Sequence, residues 1–467
     1  MNGSIFKSND IRALCPKDFV PEDGERIARV LVSLHPLKRV LIGRDMRETS
    51  DPIETAVIQG FRASGVSVTR IGLCSTPMFN FAMGEEGRGY DLGLMITASH
   101  NPSEYNGIKI VGPDRLQMGL GSGLERVRDK ATSDEQFSDA LVRGEERQDP
   151  DVLKRYLDYV FSLTDLGDLP PSSTIVVDAG NGMEGFLLPE ITTRLPELRI
   201  DPLYWELDGR FPNHEANPLK GETLHALKER VKKTGALCGF AFDGDADRIG
   251  VVDERGEQIP GDLLMALLAR EVMRIHPKLK MIYDLRSSRM VAESILKNGG
   301  SAEMFKIGTA SIKRRMRETG AGFAGELSMH FYFSDFGNCE SGDYVLLLIL
   351  QLLAREQKPL SALWLDLKKY GHSGEHNYHV QNPLETVTTV REEWSKNPQA
   401  SLTTIDGIRI DHWNGSNEDW WCSIRPSNTE PLLRVNLETR DPAQMPIRLQ
   451  EIEVLLLRLD PTMVPAH

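Results

Sequence analysis

Three carboxylates alternate with small residues in Asp243-Gly244-Asp245-Ala246-Asp247-Arg248. Carboxylates this close repel one another unless a cation sits among them. An all-oxygen set suits Mg²⁺ or Ca²⁺. A calcium EF-hand fits poorly, because its sixth position needs glycine for the sharp turn and here holds Arg248. The flanks, Cys238 to Phe242 and Ile249 to Val252, also read as buried strands rather than helices. Three carboxylates supply few ligands, leaving room for an outside oxygen, and a phosphate on a serine would fit.

A candidate serine lies upstream. The apolar run Leu92 to Ile96 ends in Thr97-Ala98-Ser99-His100-Asn101-Pro102. Asn106-Gly107 is a strong turn signal, and Ile108 to Val111 then begins a second apolar run carrying Lys109. The pattern reads as a strand delivering a hydroxyl, a loop exposing it and a returning strand bringing an amine beside it. Taken alone, it is equally an ordinary hairpin with a serine at its tip.

Two later stretches are rich in sugar- and phosphate-binding groups. In Gly325-Glu326-Leu327-Ser328-Met329-His330, Glu326 and Ser328 share one face if the chain is extended. They could accept from and donate to sugar hydroxyls, or Glu326 could be a buried capping carboxylate. Arg425-Pro426-Ser427-Asn428-Thr429-Glu430-Pro431 offers a guanidinium, hydroxyls, an amide and backbone N–H groups, with Arg434 just beyond. That composition suits a phosphate that is held but not transferred. A Pro-bounded polar turn explains the small residues but not the arginine at their edge. Arg12 is either a further anion ligand or a surface arginine.

The elements that would position these loops recur along the chain. Val40 to Gly43 reads as a strand ending at Arg44-Asp45, followed by a helix over Ile53 to Ser64 and a strand over Val66 to Ile71. The Leu92 strand then leads into the Ser99 loop. The same order returns from Thr174 to the DGDADR loop, and again from Met281 to the GELSMH loop. Each unit places its most unusual loop after its third strand. Ligand sites in α/β sheets lie at the carboxyl ends of strands, so the three loops are expected to face one cleft. The charged stretch Arg126 to Asp149 reads as a solvated helix or linker, and Tyr370 to Glu375 as a linker into a last domain. That domain reads as a small α+β fold with a strand over Thr403 to Ile410, a hairpin from Trp420 to Leu437 and a helix over Pro446 to Leu459.

Composition sets outer bounds. The 467 residues suggest about three domains by size alone. A net charge of −13 disfavours nucleic-acid and anionic-membrane partners. Five scattered cysteines form no CxxC pair, which points to a reducing, cytoplasmic setting without disulfides or zinc. The start of the chain lacks the apolar core of a signal peptide. The run Val345 to Ala354 is too short to span a bilayer and reads as a core helix.

TASHNPSEYNGIKI, DGDADRIG, GELSMH and RPSNTEP stand in this order, after SNDIRA near the start and GRDMRETS at residues 43 to 50. Together they resemble the α-D-phosphohexomutases, in particular the bacterial phosphomannomutase and phosphomannomutase/phosphoglucomutase group. ELSMHFYFSDFGNCESG especially resembles the members that feed GDP-mannose synthesis. The resemblance implies an α/β architecture of three related α/β/α units with mixed sheets, plus a C-terminal TATA-binding-protein-like α+β domain, around a central cleft. Residues 1–148 would carry the phosphoserine, 149–254 the metal, 255–369 the sugar site and 370–467 the phosphate clamp.

It further implies that Ser99 is the phosphoserine. Mg²⁺ would be held by Asp243, Asp245, Asp247 and an oxygen of the Ser99 phosphate. Arg12, Lys109 and Arg248 would surround the transferring phosphoryl group, with His100 beside the serine as a further catalytic candidate. Glu326, Ser328 and His330 would hold sugar hydroxyls, and Arg425, Ser427, Asn428, Thr429 and Arg434 the resting phosphate. The implied reaction moves a phosphoryl group between O1 and O6 of mannose phosphate through a bisphosphorylated hexose, which also serves as activator. The enzyme would be a monomer or small homo-oligomer. Glucose- or glucosamine-phosphate mutase activity is the alternative, and a non-catalytic sugar-phosphate-binding protein a more distant one. Three departures from the family pattern bear on this: Asn9 replaces a tyrosine, Thr309 a histidine, and Met329 a Gly or Ala.

Overall fold

Two sheets in the first half of the chain share one strand order. In the computed structural model, Leu92–Ile96 lies between its antiparallel return strand Tyr105–Val111 and the parallel strand Arg39–Arg44, with Ser67–Leu73 next. In the second sheet Cys238–Phe242 lies between its return strand Ile249–Asp253 and the parallel strand Thr174–Asp178, with Arg199–Leu203 next. The inner strands Leu92–Ile96 and Cys238–Phe242 are buried along their whole length. Strands covered on both faces need continuous apolar runs, and these two sequences supply them. For the first two units, the repeat expected from the sequence is therefore present in the pairing of the strands.

Residues 1–467 are described except 168, 171, 428–431 and 467. They form two compact units: Met1–Gly261 with Gly308–Ala324 and Ser328–Ala362, and Asp262–Ile307 with Gly325–Leu327 and Leu363–His467. The first unit holds both sheets just described. It also holds the antiparallel pair Phe331–Phe333 and Cys339–Glu340, and the helix Gly342–Glu356. The run Val345 to Ala354 lies in that helix and is buried except at Gln351, as expected for a core helix. Among the described residues, no helix is long and apolar enough to cross a membrane.

The second unit holds the parallel pair Lys280–Asp284 and Ser301–Phe305, and a wholly antiparallel C-terminal sheet. In that sheet Trp420–Pro426 and Leu432–Thr439 form the central hairpin. Val390 of the helix Pro383–Trp394, and Ile452 and Leu456 of Met445–Leu459, join a core with Cys422, Ile424, Val435 and Leu437.

Several expectations need correction. Asn106-Gly107 is not a turn; both residues lie inside the strand Tyr105–Val111. The buried Asn106 amide donates to Thr49 Oγ1 at 2.8 Å and Ser50 Oγ at 3.0 Å. Gly107 is required by close approach, since a Cβ there would lie 1.9 Å from the Ile11 carbonyl oxygen. The reversal is made instead by residues 99–104. Thr403 to Ile410 is two strands, Ser401–Thr403 and Ile408–His412, because Asp406 and Gly407 take positive φ (51° and 105°) and turn the chain. The stretch at Tyr370 to Glu375 falls largely in a long strand, Gly371–His379, whose polar residues are only half-covered. In the charged stretch, Glu146–Gln148 adds an exposed edge strand to the first sheet.

Candidate functional site

Sheet register explains why two cations reach one place. Arg12 pairs with Gly107 across antiparallel strands, and Lys109 stands two residues further along the partner. Side chains two apart share a face, so Arg12 and Lys109 project from the same side. Met95, opposite Lys109, precedes the Ser99 loop on the neighbouring strand. With Ser99, Asp247, Arg248, Lys313, His330 and Glu340, these two cations line a cavity of about 100 Å³.

Ser99 is almost fully buried and sits at φ 49°, a left-handed conformation unusual for a residue other than glycine. Its Oγ donates to Asp243 Oδ2 at 2.7 Å and lies 3.3 Å from His100 Nδ1. Thr97 Oγ1 accepts its backbone N–H at 2.9 Å. Gly244 faces this loop from the other side: a Cβ there would fall 2.4 Å from the Ser99 carbonyl oxygen. The serine loop and the acidic loop are thus brought together by the first two repeats, as their strand-end positions imply.

The acidic loop turns on Ala246, at φ 59°. Carboxylate oxygens of Asp243, Asp245 and Asp247 all lie within 4.8 Å of one another. Backbone N–H groups of Asp247 and Arg248 both donate to Asp243 Oδ1 at 3.1 Å. Lys109 Nζ donates to Asp245 Oδ2 at 2.5 Å and Asp247 Oδ2 at 2.7 Å. Thr76, which the sequence did not mark, donates to Asp245 Oδ2 at 2.6 Å and accepts from Lys109 at 3.4 Å. It caps no motif of its own, so nothing in its local sequence announces this role.

Electrostatics follow from that geometry. Burial, then Asp247 and Asp245, push Asp243 well above the usual carboxylate range. Asp247 is held below that range: burial opposes ionisation, but Lys109 and Arg248 together outweigh it. Lys109 loses to burial and gains more from Asp245 and Asp247, so it stays charged. Asp245 Oδ1 and Asp247 Oδ1 are buried with no hydrogen-bond donor. Orphaned carboxylate oxygens beside a carboxylate forced toward neutrality fit a hard cation. The cluster is therefore one that can hold a metal.

Arg12 donates to Asp10 Oδ2 at 2.9 Å, to the Ala98 carbonyl at 2.5 Å and to Asn101 Oδ1 at 2.7 Å. It is therefore not a loose surface arginine. Arg248 Nε donates to His330 Nε2 at 2.8 Å. A guanidinium only donates, so His330 Nε2 accepts and a neutral ring carries its proton on Nδ1. Burial, then Arg248, lower the pKa of both His330 and His100 well below the usual value, so both are neutral at pH 7. Ser328 is half-buried in the turn before His330.

The departures have structural partners. Thr309 Oγ1 lies 3.1 Å from Tyr332 Oη, and both belong to the first unit. Met329 is buried at φ 63°, a conformation that costs about 1–2 kcal/mol for a residue with a side chain. That is the physical sense of Gly at this position. The Asn9 carbonyl accepts from Gln117 Nε2 at 2.7 Å beside the cavity.

Glu326, Arg425, Ser427 and Arg434 belong to the second unit. Glu326 is buried, and the next residue, Leu327, donates its N–H to Asp284 Oδ2 at 2.8 Å. Arg425 donates to Glu375 Oε2 at 2.8 Å and Arg434 to Glu375 Oε1 at 3.1 Å. Arg286 Nη1 stands 3.8 Å from the same carboxylate while pairing with Asp284 at 2.6 Å. Ser427 donates its N–H to the Leu432 carbonyl at 2.8 Å. Asn428 and Thr429 lie outside the described residues. Arg286 and Glu375 carried no motif, and only their company in space marks them.

Four family models cover the chain in order. They are the phosphoglucomutase/phosphomannomutase alpha/beta/alpha domain I at residues 3–136, domain II at 154–256, domain III at 260–370 and the C-terminal domain at 375–452. A phosphomannomutase of Methanocaldococcus jannaschii is 34% identical over 457 residues, covering 98% of each chain. A Xanthomonas campestris protein described as phosphohexose mutases is 35% identical over 455 residues, covering 97% of this chain and 98% of that one. The crystal structure of a phosphoglucomutase/phosphomannomutase family protein from Burkholderia thailandensis superposes over the full length of both chains with a TM-score of 0.89 at 30% identity.

Proposed function

The chain belongs to the phosphoglucomutase/phosphomannomutase family and is an enzyme of the phosphohexose mutase type; on that premise we propose that it interconverts mannose 1-phosphate and mannose 6-phosphate through a phosphate carried on Ser99. The observation that carries this reading is the placement of the Ser99 hydroxyl. It lies 2.7 Å from Asp243 and lines one cavity with Lys109, Arg12 and Arg248.

In the first half-reaction the bond from phosphorus to Ser99 Oγ breaks and a bond to O6 of mannose 1-phosphate forms. The bisphosphorylated hexose turns over, and its 1-phosphoryl group passes to Ser99 Oγ, releasing mannose 6-phosphate. Such transfers depend on positioning and on neutralising charge at the equatorial oxygens. Lys109, Arg12 and Arg248 supply that charge from three different elements. Mg²⁺ held by Asp243, Asp245 and Asp247 would add a Lewis acid beside the Ser99 oxygen. His330 orients Arg248 through its Nε2. Burial of Ser99 limits hydrolysis of its phosphate by water. Arg425 and Arg434 hold the phosphate that is not being transferred, and Glu326, Ser328 and His330 hold sugar hydroxyls.

Mannose as the sugar rests on relatives described as phosphomannomutases, at 34% identity in Methanocaldococcus jannaschii and 33% in Escherichia coli. The test is a coupled assay on mannose 1-phosphate with catalytic glucose 1,6-bisphosphate, run beside glucose and glucosamine phosphates. Turnover is expected with mannose phosphate preferred, a phosphate on Ser99 by intact mass, and loss of both in Ser99→Ala. Full activity in Ser99→Ala rules out the phosphoserine route, and a glucosamine preference rules out the mannose assignment.

A further inference from the structure

Arg47 is among the largest fully buried side chains in the protein, at 2% exposure, and the reaction just described gives it no task. It lies in the GRDMRETS stretch, after the strand Arg39–Arg44. Its Nη1 donates to the carbonyls of Pro102 at 2.7 Å and Tyr105 at 2.9 Å. Its Nη2 donates to the carbonyls of Ser99 at 2.8 Å and Asn101 at 2.6 Å. Its Nε stands 3.3 Å from Asp45 Oδ2. A guanidinium has five N–H donors. Four are given to carbonyls of the loop; the fifth, on Nε, is buried beside Asp45 without a hydrogen bond, and Arg47 is not among the residues that line the cavity with Ser99 and Lys109.

The four carbonyls span the reversal from Ser99 to Tyr105. Ser99 itself is held at φ 49°. A residue in that conformation persists only when its surroundings over-determine it, and Arg47 bonds the carbonyl of that very residue. The guanidinium also lies over the Phe211 ring, 5.0 Å from its centre, a cation–π contact. The Cζ tip of the Phe211 ring also approaches Gly244 of the acidic loop, where a Cβ would sit 3.6 Å from it. All these residues belong to the first unit.

We propose that Arg47 is a positioning residue that fixes the Ser99 loop in its reactive conformation and, through Phe211, keeps that loop in register with the acidic loop. It does not contact the transferred group. The inference rests on the phosphoserine reading, and the two fail separately. Wild-type enzyme that works without phosphate on Ser99 defeats the earlier reading, whereas active phosphoserine enzyme indifferent to Arg47 defeats this one.

The experiment compares wild type, Arg47→Ala, Arg47→Lys and Phe211→Leu for kcat and KM on mannose 1-phosphate, each with and without added guanidinium chloride at low millimolar concentration. Displacing reacting groups by about 1 Å costs on the order of 100-fold. Arg47→Ala is therefore expected to lose about 100-fold in kcat with KM within about threefold, and to regain part of that loss with guanidinium. Arg47→Lys, which keeps the charge but not the fork, is expected to stay low and not respond to guanidinium. If Arg47→Ala does not fold, Phe211→Leu decides: it keeps the four carbonyl bonds and is expected to lower kcat about threefold to tenfold at unchanged KM. A rise in KM of tenfold or more at constant kcat in the arginine variants overturns the proposal, as does wild-type kcat in folded Arg47→Ala or in Phe211→Leu.

Discussion

The two charged centres of this protein are built with opposite excess. Around Ser99, Asp243, Asp245 and Asp247 crowd within 4.8 Å, and Lys109 is the cation bonded directly to two of them. Around Glu375 the count is reversed: Arg425 and Arg434 bond one carboxylate, and Arg286 stands 3.8 Å from it. A buried site with surplus anions asks for a cation, and one with surplus guanidinium groups asks for an anion. The first centre is locked by short bonds among its own residues, which suits chemistry that tolerates little displacement. Each centre also leaves atoms without partners among the described residues: Asp245 Oδ1 and Asp247 Oδ1, which can accept a cation, in the first, and Arg425 Nε and Arg434 Nε, which can donate to an anion, in the second.

Removing the lysine should break that contrast most severely. Lys109→Met is expected to lower kcat by roughly 10²–10³ while KM moves little, since in the proposed reaction its charge acts where the phosphoryl group reacts. The same variant removes the internal rival for the carboxylates. Calorimetry should therefore show Mg²⁺ binding tightened by roughly tenfold, opposite in direction to activity. Weaker Mg²⁺ binding would mean that the lysine organises the carboxylates rather than competing for them.

A smaller and different effect is expected at the arginine centre. Arg425→Ala should raise KM for mannose 1-phosphate about 10–100-fold, the equivalent of one charge-assisted hydrogen bond, with kcat changed far less. A selective loss of kcat would assign the arginine to the transfer step and erase the distinction between the centres.

The smallest effect concerns Glu375. Burial raises its pKa, but Arg425 and Arg286 lower it more, so its folded value lies below the usual glutamate range. A depressed carboxylate stabilises the fold fully above its unfolded pKa and loses that contribution as pH falls through its folded one. Glu375→Gln is thus expected to cost about 1 kcal/mol at pH 7, read by denaturant melts, with the gap closing below about pH 4. A gap that persists at pH 3 would show that the glutamate acts by shape rather than by charge.

Much of the site was legible because it depends on short, chemically unusual loops. The Ser99 loop and the alternating aspartates stood out by residue type and the common strand order put them together, whereas His330 was marked only by the family resemblance. What stayed illegible depended on contacts distant in sequence. Thr76 looks like any helix-start threonine until Asp245, 169 positions away, accepts its proton. Asn106-Gly107 carries a turn signature, yet here the asparagine is spent on Thr49 and Ser50 and the glycine on the Ile11 carbonyl. The edge strand Glu146–Gln148 is exposed throughout, so it has no apolar alternation to betray it. Gly371–His379 was hidden in the same way, by half-covered polar residues on a sheet whose pairing needs only backbone groups.

Gly244 decides how near the Ser99 loop can come to the acidic loop. The Ser99 carbonyl sits where the first atom of any side chain at 244 would have to go. The spacing between the two loops is therefore gauged by a missing methyl group as well as by the Ser99–Asp243 hydrogen bond. Bonds stretch and re-form, but a gauge of this kind has no give in one direction: alanine there would wedge the loops apart however well every other contact were kept.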